Sequence, residues 1–278
     1  MGFNNLRLWL ELRRWKAAGH TARLWWRDDD ASGSTGALDR LLLDRLVQIS
    51  ALTGTPLALA VVPVGEMSGL GSRLQDAATV TVAQHGVDHQ NRREGPAAGE
   101  FPHDWSQQQL EEAMTAGWRR IENLPRALKV FAPPWNDIHP HLERALRANG
   151  YVGWSAGGTV SASGSCCRLD IHLDLMRWRG GPRFRGRGKL LADFAAELRR
   201  RRRAGLWDAP IGLLSHHLAH DTAAWTFLGD FLRWTKAQPE LTWVSLPELM
   251  RETQSRRAQA LLRSSARLIS DLALAHPA

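Results

Sequence analysis

Four short stretches carry the residue types that could do chemistry. In chain order they are Arg27-Asp28-Asp29-Asp30, His85-Gly86-Val87-Asp88-His89, Phe131-Ala132-Pro133-Pro134-Trp135 and Gly212-Leu213-Leu214-Ser215-His216-His217. They supply a carboxylate cluster, two imidazoles, a rigid turn and a late histidine. Those are the parts needed to hold one divalent metal and hydrolyse an amide or ester beside it. If the chain turns helically after His85, both imidazoles share a face and can meet one metal. An added aspartate would give a two-histidine, one-carboxylate set with positions left open for water and substrate. The glutamate of an HExxH motif is missing, which disfavours a thermolysin-like protease. Three consecutive aspartates repel one another unless a cation or a base role separates them. Here they follow the apolar Leu24-Trp25-Trp26 and so emerge from a buried strand. Pro133 and Pro134 fix the backbone of a turn that could wall a pocket, with Trp135 as its stacking surface. Strand alternation lets only one of His216 and His217 face a site, and His220 and Asp221 stand close enough to orient it.

The elements that must position these groups alternate. Strand patterns fall at 23–27, 57–62, 79–84, 130–132, 151–155, 168–173, 211–215 and 242–244. Helical patterns fall at 38–52, 106–123, 139–148, 189–203 and 222–236, with an amphipathic helix at 4–18 before them. Ser106 and Gln109 have capping-box spacing. Such alternation predicts a parallel sheet with helices outside, and each chemical stretch then lies at the carboxyl end of a strand, where active sites of such folds gather. One domain over 1–250 and a helical tail over 251–278 are expected. The tail's apolar spacing at Leu261, Leu262, Leu268, Ile269 and Leu272 suits capping of the barrel.

Composition narrows the rest. The 278 residues are 44% hydrophobic, enough for a substantial core. No membrane-spanning run and no secretory leader is evident, so a cytoplasmic location is expected. The net charge of +8 comes largely from Arg199–Arg203 and a basic C-terminal tail. The run closes a helix just before Gly205, where positive charge suits the helix dipole. No aromatic residues interleave it and no nucleic-acid-binding signature occurs, so nucleic acid is not an expected partner. Cys166 and Cys167 are adjacent and read as small core residues at a strand start. With 13 Trp and one Tyr, aromatic faces suited to sugar rings are available, although Trp25, Trp26 and Trp118 are expected in the core.

Taken together, the stretches resemble the polysaccharide deacetylases, the NodB-homology or carbohydrate esterase family 4 group, from about Leu24 to His217. That group has an Asp-Asp motif, a His-[Ser/Thr]-x-x-His motif, an Arg-x-Pro-[Tyr/Trp] motif and a late Leu-x-His motif. The resemblance implies a distorted (β/α)7 barrel and metal-dependent removal of acetyl groups from N- or O-acetylated sugars. It implies Asp29 as general base and Asp30, His85 and His89 as metal ligands. It also implies His216, in Leu214-Ser215-His216, as general acid. Pro134, Trp135 and Trp178 would meet substrate, and Asp28, His217 and Asp174 would support the site or substitute within it. A metal-activated water would be the nucleophile. Zinc is the expected ion, with cobalt, nickel or manganese as alternatives. Two departures stand out: Gly86 replaces the hydroxyl residue, and Ala132 stands where the group has an arginine that holds the base. Related alternatives are hydrolysis of another non-peptide C–N bond on the same barrel, or a non-catalytic carbohydrate-binding relative.

Overall fold

A computed structural model describes residues 5–33, 36–158, 167–255 and 259. Helix α1 (Leu6–Ala17) precedes strand β1 (Ala22–Gly33). Then come α2 (Ala37–Thr53), β2 (Leu57–Gly65), α3 (Met67–Leu74), β3 (Val80–His85), α4 (Gln107–Ile121), β4 (Ala127–Ala132), α5 (Leu142–Ala148) and β5 (Gly153–Trp154). The second half has β6 (Cys167–Arg168), β7 (Ile171–Asp174), a hairpin of β8 (Met176–Arg177) and β9 (Arg183–Phe184), then α6 (Arg187–Arg203), β10 (Ile211–Ser215), α7 (Thr222–Lys236) and β11 (Leu241–Trp243).

Parallel pairing in the order β6-β5-β4-β3-β2-β1-β10-β7 curls the sheet, and β11 adds to the base of β1. A bridge between Gly157 and Ile171 brings the two ends of that order together. β6 and β7, separated only by Leu169 and Asp170, act as one irregular stave. The result is a distorted (β/α)7 barrel.

Side-chain size explains how so small a barrel fills. In β2, Leu57, Leu59 and Val61 face the outer helices, whereas Ala58 joins Trp25, Ala83, Val130 and Leu214 in the interior. The buried Trp25 indole takes much of that space, and truncating such a side chain typically costs about 3–5 kcal/mol. Gly212 makes room for it: a Cβ there would come within 2.8 Å of Trp25 Nε1 and 2.5 Å of the Asp170 carbonyl. Leu246, Leu249 and Met250, on a helix covering 246–255, close the same interior cluster. The remainder of the C-terminal tail, including its apolar positions, lies outside the described residues, as does Cys166. Cys167 is buried at the start of β6. Among the described residues no helix is long and apolar enough to cross a membrane.

The expected capping box is present, with Ser106 and Gln109 bonding each other's backbone at the start of α4. The arginine run serves mainly as internal structure. Arg201 is fully buried, donating to the Ala209 and Pro210 carbonyls and pairing with Glu197, while Arg202 pairs with Glu11 of α1.

Candidate metal centre

β1 does not stop before the aspartates, as the sequence pattern suggested; it runs through them to Gly33. Its pairing with β2 shifts register between Asp28 and Ala31, and Asp30 takes a left-handed φ of 75°. That bulge breaks the alternation of faces, so consecutive Asp29 and Asp30 both turn toward the histidines. The three carboxylates separate by acquiring three different partners.

Asp28 is buried and belongs to the frame. It accepts from Ser215 Oγ and pairs with His217 Nδ1, while Trp26 Nε1 donates to Ser215 Oγ at 2.8 Å. Burial alone would raise the Asp28 carboxyl, but the His217 charge and hydrogen bond outweigh it and hold it low. Burial likewise opposes the His217 proton, and Asp28 overrides that to raise it. This network fixes the end of β10 against β1 and leaves His216, not His217, on the site side.

Asp29 is held by Arg27, whose side chain is buried. Arg27 Nη2 donates to Asp29 Oδ2 at 2.8 Å, and Nε lies 2.8 Å from Oδ1. The other arm of the guanidinium donates to the Ser155 carbonyl and hydroxyl at 2.8 and 2.7 Å, and Nη2 reaches Asn136 Oδ1 at 3.2 Å. A fork clamped at both ends fixes the carboxylate's orientation as a lysine could not. Ala132, by contrast, is buried and offers its carbonyl to His85 Nδ1 at 2.9 Å.

That bond leaves His85 Nε2 free to point at Asp30 Oδ1, 3.2 Å away. His89 Nε2 approaches the same oxygen, also at 3.2 Å. The Asp30, His85 and His89 ligand atoms all lie within 4.8 Å of one another, the one such group found among the described residues. Asp30 Oδ1 is buried without a well-formed hydrogen bond. Burial would raise the Asp30 carboxyl, yet the close approach of the His85 and His89 imidazoles and the charges of His85 and His216 hold it far below the usual range. Desolvation opposes the His85 proton, but Asp29 and Asp30 raise it overall. A divalent cation bound there would compete with protons for the same donors. The donor set, the anchored Nδ1 and the buried oxygen fit a divalent metal ion, with one carboxylate and two imidazoles.

The two histidines do not share a helical face. Residues 86–89 form an irregular loop, and His89 has φ 56°. Its shape comes from Glu100, a buried carboxylate that accepts from the backbone N–H of Val87, Asp88 and His89 at 2.6–3.0 Å. Burial raises the Glu100 carboxyl, and these three amides pull against that. Gly86, at φ 60°, is required by this arrangement: a Cβ would come within 2.2 Å of Glu100 Oε2 and 2.5 Å of Pro134 Cγ. Pro134 is accordingly buried beneath the loop rather than lining a cleft.

His216 Nε2 lies 3.9 Å from Asp29 Oδ2, as does His85 Nε2, so Asp29 stands between the metal set and His216. Trp178 meets the His216 ring edge-on at 4.5 Å, and Asp174 accepts from its indole at 2.9 Å. Asp174 therefore acts on the site through Trp178. Trp135 packs on His89 at 4.3 Å; it is 41% exposed and Trp178 45%. Asp221 instead caps α7 by accepting from Ala224 N at 2.7 Å, and His220 makes no bond to His216. Glu100 is the site residue that the motifs leave unassigned, whereas Arg27, adjacent to the aspartates, is a candidate partner for the base whose direction the sequence does not give. The signal for Arg27 was its place two residues before Asp29; Glu100, eleven residues beyond His89, gave none.

No protein-family model matches the chain, and no curated protein does. Solved structures do. One from Mycobacterium smegmatis, provisionally described as a polysaccharide deacetylase, aligns over 86% of this chain and 92% of its own, at 17% identity and TM-score 0.58. The Puue allantoinase aligns over 83% and 89%, at 12% identity and TM-score 0.58. The chain shares its barrel fold with both.

Proposed function

We propose that this chain is a divergent member of the polysaccharide deacetylase group. In this reading it is a metal-dependent hydrolase that removes an acetyl group from an N- or O-acetylated sugar or sugar derivative. The observation that carries this reading is the convergence of Asp30, His85 and His89 on one oxygen, with the Arg27-held Asp29 between them and His216.

Asp30, His85 and His89 would hold the ion; a divalent cation there supplies Lewis acidity to an acyl oxygen and makes water more acidic. Asp29 accepts the proton of the attacking water, kept in position by the fork of Arg27. His216 Nε2, on the far side of Asp29, donates a proton to the departing amine or alkoxide. Trp135 and Trp178 offer exposed aromatic faces on two sides of this centre, suited to the apolar faces of sugar rings. The two departures from the family pattern are compensated in this reading: Arg27 takes over from the arginine absent at 132, and Glu100 holds the loop in place of the hydroxyl absent at 86.

A second reading has one specific support, the equal likeness of the fold to an allantoinase. It keeps the centre and changes the substrate to another non-peptide amide. Zinc-loaded protein assayed for acetate release on acetylated sugars, and for ring opening of cyclic amides, separates the two. Acetate release that disappears in His216→Ala supports the first reading. Turnover of cyclic amides alone supports the second, and a protein inert to both panels would contradict an enzymatic role.

A further inference from the structure

The inward side of α1 is fully engaged. Leu8, Leu12 and Trp15 are buried, Trp15 Nε1 donates to the Leu198 carbonyl at 3.2 Å, and the buried Glu11 pairs with Arg14 and Arg202. Its outward side is anomalous. Leu6, Trp9 and Leu10 are 70%, 51% and 37% exposed, a stripe at i, i+3 and i+4 where a water-facing helix carries polar residues. The Arg13 guanidinium lies 4.7 Å from the Trp9 ring. Beside the stripe, α1 and α6 leave a groove of about 750 Å³ floored by Leu10 and α6 alanines, with Arg7, Arg199 and Arg203 among its lining.

Charge sets this face apart. Glu11 and Glu197 are taken up by Arg14, Arg200, Arg201 and Arg202. Arg7, Arg13, Arg199 and Arg203 have no carboxylate partner among the described residues. Leu38 and Leu41 of α2 are as exposed, at 67% and 65%, but Asp39 and Asp44 sit on the same helix and dilute any positive field.

We propose that this face of α1 and α6 docks peripherally on an anionic phospholipid surface. Leu6, Trp9 and Leu10 would enter the headgroup boundary, and the four arginines without a carboxylate partner would meet lipid phosphates. The complementarity is double, because apolar insertion and arginine–phosphate contact are each weak alone and stable together. Nucleic acid would satisfy the arginines but gain nothing from two leucines and an alanine floor. The inference does not depend on the hydrolase reading.

Sedimentation of the full-length chain with phosphatidylcholine vesicles, with and without phosphatidylglycerol, tests it. The protein should pellet only with the anionic vesicles and should be released by high salt. Partitioning should fall roughly tenfold in Arg199→Glu/Arg203→Glu and, separately, in Leu6→Ser/Trp9→Ser. Among the described residues none of the four makes a hydrogen bond or an ion pair, Trp9 touching only the Arg13 guanidinium, so each variant should remain folded with a small loss in thermal midpoint from the helix dipole, and the melt serves as the folding control. Absence of binding to anionic vesicles, or variants that bind like wild type, would overturn the proposal. So would an oligonucleotide bound through Arg199 and Arg203 by a protein that ignores vesicles.

Discussion

Asp28, Asp29 and Asp30 coexist because each faces a different positive partner: His217, Arg27, and the place between His85 and His89. The consequences are specific to each residue. Arg27→Lys keeps a charge beside Asp29 but loses the two-armed hold, so kcat should drop about 100-fold with zinc affinity unchanged. Arg27→Met should instead cost about 3–5 kcal/mol of stability, since it strands a buried carboxylate. Steady-state kinetics and thermal melts distinguish these outcomes; equal kcat in wild type and Arg27→Lys would remove Arg27 from the mechanism. Gly86→Ser should push Glu100 off the 87–89 amides and weaken zinc binding about 10–100-fold, read by calorimetry. An unchanged affinity would show that Glu100 does not position His89. The aspartates and histidines were legible in the sequence because motif spacing survives without context. The parts played by Arg27 and Glu100 were not, since the direction of one side chain and the reach of the other across eleven residues depend on packing that no local pattern encodes.

Among the elements, Ile211–Ser215 and Thr222–Lys236 coincide with their sequence patterns, and α2, α4 and α6 fall within two residues of theirs at each end. Helix α3 escaped because Gly69 and Gly71 weaken its helical signal, and the β8–β9 hairpin because two-residue strands carry no periodicity. The helical turn expected between His85 and His89 failed for a nonlocal reason, the Glu100 carboxylate. A pH effect belongs at the β7–β10–α6 junction. His172 sits against Arg201 and Gly212 N, and burial, followed by the Arg201 charge, depresses it from 6.5 to about 3. Its folded form resists protonation, so the unfolded chain binds the extra proton. Stability should be unaffected above pH 6.5 and fall as pH drops from 6.5 toward 3, by up to about 1.4 kcal/mol per pH unit. His172→Gln should flatten that acid limb in urea titrations. A variant as acid-sensitive as wild type would place the proton elsewhere.

For the whole molecule, the barrel brings stretches nearly 190 residues apart in sequence, Asp28 and His217, into one frame. Among the described residues, four of the five non-glycine residues with left-handed φ, Asp30, His89, Trp135 and Asn136, gather around the same centre. Strain of this kind costs of order 1–3 kcal/mol per residue and persists where surrounding structure enforces it, commonly at functional sites. The fold itself was readable from strand–helix alternation, because hydrophobic period and turn residues agree along most of the chain. In the proposed mechanism one divalent ion binds at Asp30, His85 and His89, and His216 acts on the reaction rather than on the ion. Zinc titration calorimetry on wild type, Asp30→Ala, His85→Ala and His216→Ala tests it directly. One ion should be bound by wild type and by His216→Ala, and none by the other two; zinc bound equally by all four proteins would rule out this site.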